Sequence, residues 1–71
     1  MKTQYICTED LQGGSFGVGR VGDINYWRET ALEWNQDDWD EEGDEFLRTV
    51  PDGQLLSLIE ILWDIKIEEK W

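Results

Sequence analysis

The stretch Gln54-Leu55-Leu56-Ser57-Leu58-Ile59-Glu60-Ile61-Leu62-Trp63, followed at once by Asp64-Ile65-Lys66-Ile67-Glu68, decides how this chain folds. Leu55, Leu58, Ile59 and Leu62 recur at helical spacing, and Leu56, Ile61 and Trp63 widen the apolar stripe almost all the way round. Such breadth predicts the central, most buried helix over about residues 53–63, with Asp52 as its cap or Pro51 as its first residue. The period then changes: Ile65 and Ile67 alternate with Asp64, Lys66 and Glu68, which predicts a strand over about 65–69. That strand can pair with Gln4-Tyr5-Ile6-Cys7, a run of β-forming residue types, and so tie the two ends of the chain into one sheet.

Between these ends, Glu9 to Gly14 reads as a turn closing on Gly13-Gly14. Residues 15–21 alternate Phe16, Val18 and Arg20 with Gly17, Gly19 and Val21, the pattern of a glycine-weakened strand returning as a hairpin; so much glycine suits a loop equally well. Asp23 is placed to cap a helix over about 24–35, whose Ile24, Trp27, Ala31 and Trp34 fall on one stripe. Glu29 and Glu33, like charges one turn apart, make that helix depend on packing. A second helix is expected over about 38–50, opened by the capping pattern Asp38-x-x-Glu41, with Trp39, Gly43, Phe46, Leu47 and Val50 sharing a face. The expected architecture is α+β: a small antiparallel sheet (strands near 4–7, 15–21 and 65–69) packed against three helices. With no internal repeat and no linker, residues 1–71 are read as a single domain.

Composition narrows the chemistry. Seventeen Asp and Glu against six Lys and Arg give a formal charge of -11, with one Cys and no His. These counts leave no disulfide framework, no Cys/His zinc site, no histidine base and no Ser-His or Cys-His pair within the chain. Direct nucleic-acid binding is disfavoured, because phosphates meet repulsion rather than Lys and Arg. Residues 1–22 are neutral, so the whole excess lies from Asp23 onward, densest at residues 37–45, where seven of nine residues are acidic. A magnitude of eleven exceeds the charge of about 2–8 that keeps a small domain in solution. No targeting or membrane segment is expected. Residues 1–7 lack an apolar run, and Leu55 to Ile65 is too short to span a bilayer. A cytoplasmic protein is therefore expected, and the lone Cys7 agrees with a reducing compartment.

Several motifs invite chemistry and are answered by their context. Gly17-Val18-Gly19-Arg20-Val21-Gly22 is a literal G-x-G-x-x-G, but a βαβ unit has no room here, and a flexible or bulged strand accounts for the glycines. Asp38-Trp39-Asp40-Glu41-Glu42-Gly43 imitates the front of a calcium loop, yet the position of the bidentate Glu is Thr49. A charged first turn of a helix explains the same residues. Carboxylates abound, but catalysis needs a pocket that shifts a pKa, and a chain of this length is not expected to enclose one. Cys7 reads as a sheet residue of the core. No catalytic, cofactor or metal site is expected.

What remains is an acidic surface with aromatics. Asp37, Asp38, Trp39, Asp40, Glu41, Glu42, Asp44 and Glu45 form the candidate partner-binding site, with Trp39, and also Trp71 or Tyr26, as desolvated anchors. The expected partner is a basic protein surface, such as that of a nucleic-acid-binding complex. The alternative is a small accessory domain whose acidity gives only solubility. In size, acidity and aromatic load, carried by Asp37 to Glu45 and by Tyr26 to Trp34, the chain resembles the short acidic proteins of phages and mobile elements. Anti-CRISPR and other DNA-mimic inhibitors are among these. The resemblance is one of type rather than motif. It implies inhibition without enzymatic activity, by occupying a basic surface on a host nuclease or nucleic-acid-binding protein.

Overall fold

The computed structural model describes residues 2–38 and 41–70, and at residues 37 and 38 the backbone alone. Three strands, β1 (Gln4–Asp10), β2 (Val21–Gly22) and β3 (Ile65–Lys70), form an antiparallel sheet in the order β2-β1-β3. Three helices, α1 (Ile24–Asp38), α2 (Glu41–Thr49) and α3 (Asp52–Trp63), connect β2 to β3. The α+β architecture therefore stands, and both ends of the described chain meet in the sheet. Gln4 lies opposite Lys70, Tyr5 opposite Glu69 and Cys7 opposite Ile67, with an irregularity between Cys7 and Glu9 that leaves Thr8 outside the ladder.

The core is built from one face of each element. Cys7 and Ile65 from the sheet, Trp27 and Ala31 from α1, Leu47 from α2, and Leu55 and Ile59 from α3 are all almost fully buried, with Val50 beside them. Trp27 is the largest of these, and its indole N–H donates to the Tyr5 carbonyl at 3.0 Å, so the burial leaves no polar atom stranded. Asp23 caps α1 as the sequence indicates: its Oδ1 accepts the Tyr26 N–H at 2.9 Å. At the other end of the fold, Asp64 takes the left-handed conformation (φ 53, ψ 53) and closes α3, its N–H donating to the Glu60 carbonyl. The Asp64 carbonyl accepts the Leu11 N–H at 2.9 Å, and β3 starts at the next residue. One αL residue thus turns helix into strand with no loop between them.

Four expectations need correction. The strand expected over 15–21 is only Val21–Gly22, and residues 11–20 form turns instead, since Gly13, Gly17 and Gly19 adopt positive φ. The turn expected at Glu9 starts later, because β1 continues to Asp10 against Ile65. Asp38 does not open the second helix: it is the last residue of α1, and α2 begins at Glu41. Pro51, not Asp52, is the residue preceding α3, whose first turn has no side-chain cap.

Burial of α3 also differs from its sequence pattern. Leu55 and Ile59 are sealed, whereas Ile61 is 78% and Leu62 54% exposed. Phe46 of α2, expected on the inner face with Leu47 and Val50, is 55% exposed. The physical reason is layer count. One sheet face and three helices cover one stripe of each helix, and no further layer reaches the outer side.

Candidate functional site

Of the acidic residues singled out by sequence, Glu41, Glu42, Asp44 and Glu45 lie in the first turns of α2. Their charges face the positive end of the helix dipole, which accounts for their place in a helix with few apolar residues. Glu41, Glu42 and Glu45 are exposed and make no ion pair among the described residues. Asp44 is different: its carboxylate holds Arg48 one turn on at 2.8 Å, so it is a local helix-stabilising group. Trp39 and Asp40 lie outside the described residues, as do the side chains of Asp37 and Asp38 and the whole of Trp71. Glu29 and Glu33, on the outer side of α1, are exposed as well and make no ion pair among the described residues.

The bases are mostly engaged elsewhere. Arg28 donates from Nη1 to the Leu47 carbonyl at 2.7 Å and from Nη2 to Asp52 Oδ1 at 2.6 Å, joining the end of α2 to the start of α3. Lys2 pairs with Asp23 at 3.6 Å and Lys66 with Glu68 at 3.6 Å. Arg20 lies over the Trp34 ring, 5.6 Å from its centroid, and donates to the Tyr26 hydroxyl at 3.0 Å. Asp23, hydrogen-bonded by the Tyr26 N–H and neighboured by Lys2, is held below the usual carboxylate range. The acids that fold the chain are thus a different set from those exposed on α1 and α2.

Trp27, Trp34 and Trp63 form a cluster. Trp34 stacks edge-on against Trp27 (6.2 Å) and Trp63 (5.3 Å), and Phe16 of the β1–β2 loop lies over it at 4.7 Å. Tyr26 is half-buried, and its hydroxyl accepts a hydrogen bond from Arg20.

The glycine motif is explained by the same cluster. Gly17 has φ 73 and sits where an added Cβ would lie 3.2 Å from the Trp34 ring. The amides around it are occupied: Val18 N–H donates to Ser15, Gly19 N–H to Cys7 and Arg20 N–H to Gly17 carbonyls. A phosphate would find none of these three N–H groups available. Asp10 fixes the loop entrance, accepting the Gln12 and Phe16 N–H groups, each at 3.0 Å. The residues that would complete a calcium loop, 41–49, are α-helical, so they cannot wrap an ion in the irregular turn that such a loop requires. Burial pushes the Cys7 thiol up from its ordinary value, which leaves it a packing residue rather than a nucleophile.

Two open grooves mark the surface among the described residues. One, about 530 Å3, lies between Lys2, Tyr5, Asp23, Ile24 and the start of α3. The other, about 410 Å3, is lined by Asn35, Glu42, Gly43, Phe46, Leu47, Leu58 and Leu62, where the three helices meet. Sequence reasoning missed the second groove because its walls come from three helices and its apolar residues were assigned to the core. No protein-family model matches the chain, and neither a curated protein nor a solved structure matches it.

Proposed function

We propose that this protein is a non-enzymatic binding module whose outer α1–α2 surface docks on a basic protein surface. The observation that supports this reading is the set Glu29, Glu33, Glu41, Glu42 and Glu45: exposed, unpaired among the described residues, and carried on two helices that pack together. Keeping such charges unneutralised raises the rate of encounter with a positive partner and penalises wrong ones. The surface of matching chemistry is one that a basic protein keeps for a phosphate backbone, and the module would act by occupying it.

The test is capture from a nuclease-treated lysate by the parent protein and by a variant carrying Glu→Gln at all five positions. Captured basic proteins should be released as salt rises from about 0.1 M to about 1 M, where the screening length falls from about 10 Å to about 3 Å. Added duplex DNA should compete with capture. The variant should melt as the parent does and capture little. If the variant captures the same proteins to the same extent, the acidity serves solubility and the reading fails.

A further inference from the structure

We infer that the groove between α2 and α3 receives the apolar side of a Lys/Arg-rich amphipathic helix from a partner protein. The inference rests on the acidic-surface reading and adds to it a place and a shape. The groove has an apolar floor: Leu47 lies beneath, Phe46 and Leu62 form its walls, each more than half exposed, and Leu58 is half-buried between them. Gly43 has no side chain to fill the α2 side. Ile61, 78% exposed on the next position of α3, extends the apolar strip.

Exposure on this scale is costly to leave uncovered, since each such side chain keeps apolar area in water. Among the described residues nothing covers it: Phe46, Ile61 and Leu62 stay exposed, and the β1–β2 loop is drawn to Trp34 by Phe16 and Arg20. The rim decides the occupant. Glu42 lines the groove, and Glu41 and Glu45 flank it on the same helix, all exposed and without an ion pair among the described residues. A second copy of this chain would bring the same carboxylates against these, at a net charge of -11 on each molecule. An anionic surface fails for the same reason. A helix with apolar residues at i, i+3 and i+4 and cations beside them satisfies floor and rim together. Phe46 and Leu62 then supply the desolvated anchor that sequence reasoning assigned to Trp39.

The probe is a labelled Leu/Lys peptide patterned as an amphipathic helix, set against a scrambled peptide of equal composition, with binding read by fluorescence anisotropy. The patterned peptide should bind at least about tenfold more tightly than the scrambled one, and Phe46→Gln with Leu62→Gln should remove that preference. Both residues are more than half exposed, so the double variant should keep the parent's melting transition, checked alongside. Amide resonances of residues 42–47 and 58–62 should shift on binding. Equal binding of both peptides, lost only in the Glu→Gln variant, overturns the groove while leaving the acidic surface intact. Tight, pattern-dependent binding that survives Glu→Gln overturns the ionic rim. No binding of either peptide at low salt overturns the groove, and the lysate capture then stands as the separate test of the acidic surface.

Discussion

Replacing Gly22 with alanine tests how the sheet and α1 are joined. Gly22 is buried and pairs with Tyr5, and its φ is not among the positive values, so backbone conformation gives no reason for glycine there. Space does. An added Cβ would lie 2.6 Å from Tyr26 Cβ, and nearer still to its Cγ and Cδ2. Carbon atoms rest at about 3.5–4.0 Å, so Tyr26 Cβ must retreat by about 1 Å. That atom is fixed to the α1 backbone and cannot swing aside as a side-chain tip would. Either α1 moves, which disturbs the fully buried Trp27 next to it, or β2 leaves β1. Overpacking of a core costs about 1–3 kcal/mol, and the rigid neighbour puts Gly22→Ala at the top of that range, about 3 kcal/mol. A domain of this size has a stability of only about 3–5 kcal/mol, so the variant should keep about 0–2 kcal/mol. Urea denaturation followed by tryptophan emission measures it, since Trp27, Trp34 and Trp63 share one cluster. With a slope of about 1 kcal/mol per molar urea, the midpoint should fall by about 3 M. Adding Tyr26→Ala removes Cγ and Cδ2, the nearer contacts, but keeps Cβ, so it should restore only part of the loss, about 1 kcal/mol as a coupling energy. A Gly22→Ala midpoint within error of the parent would refute the reasoning.

Further outcomes are expected elsewhere. Arg28→Met should cost about 2 kcal/mol, mostly from the Leu47 carbonyl bond, because Asp52 is 68% exposed and its ion pair is screened; chemical denaturation checks it. Ile59→Ala should cost about 2–5 kcal/mol, while Ile61→Ala should stay within about 0.5 kcal/mol, and equal losses would contradict the burial assigned to α3. Asp23 has a folded-state pKa below its unfolded value, so its contribution to stability is present above the ordinary carboxylate range and is lost as pH falls through the lowered pKa. The midpoint difference between the parent and Asp23→Ala should therefore be constant toward neutral pH and close only in strong acid; a gap that stays open there would contradict this. These variants leave the unpaired glutamates untouched.

Much of the fold was legible because it rests on local rules. The change of period at Asp64 marks helix and strand, the Asp23 cap marks the start of α1, and the pairing of residues 4–7 with the last strand follows from two short β-type runs. The errors fall where a local signal had two meanings. Asp38-x-x-Glu41 reads as a cap but lies across the end of one helix and the start of another. Glycine alternation at 15–21 reads as a weak strand, but positive φ at Gly17 and Gly19 makes turns that fold Phe16 and Arg20 onto Trp34.

The candidate site divides the same way. Sequence alone determines that the charge is concentrated beyond residue 22 and that histidine and disulfide chemistry are absent, since these are matters of counting. It also determines which elements exist, because periodicity and capping act over a few residues. Only the tertiary structure decides which side of each element is covered. A helix with apolar residues almost all round has no inner face of its own, and the sheet chose Leu55 and Ile59 over Ile61 and Leu62. Likewise Asp44 and Asp52 are paired while Glu41, Glu42 and Glu45 have no ion pair among the described residues, because ion pairs depend on which bases three separate helices bring within reach. Burial is a property of the assembled layers, and there alone an acidic stretch acquires an apolar groove beside it.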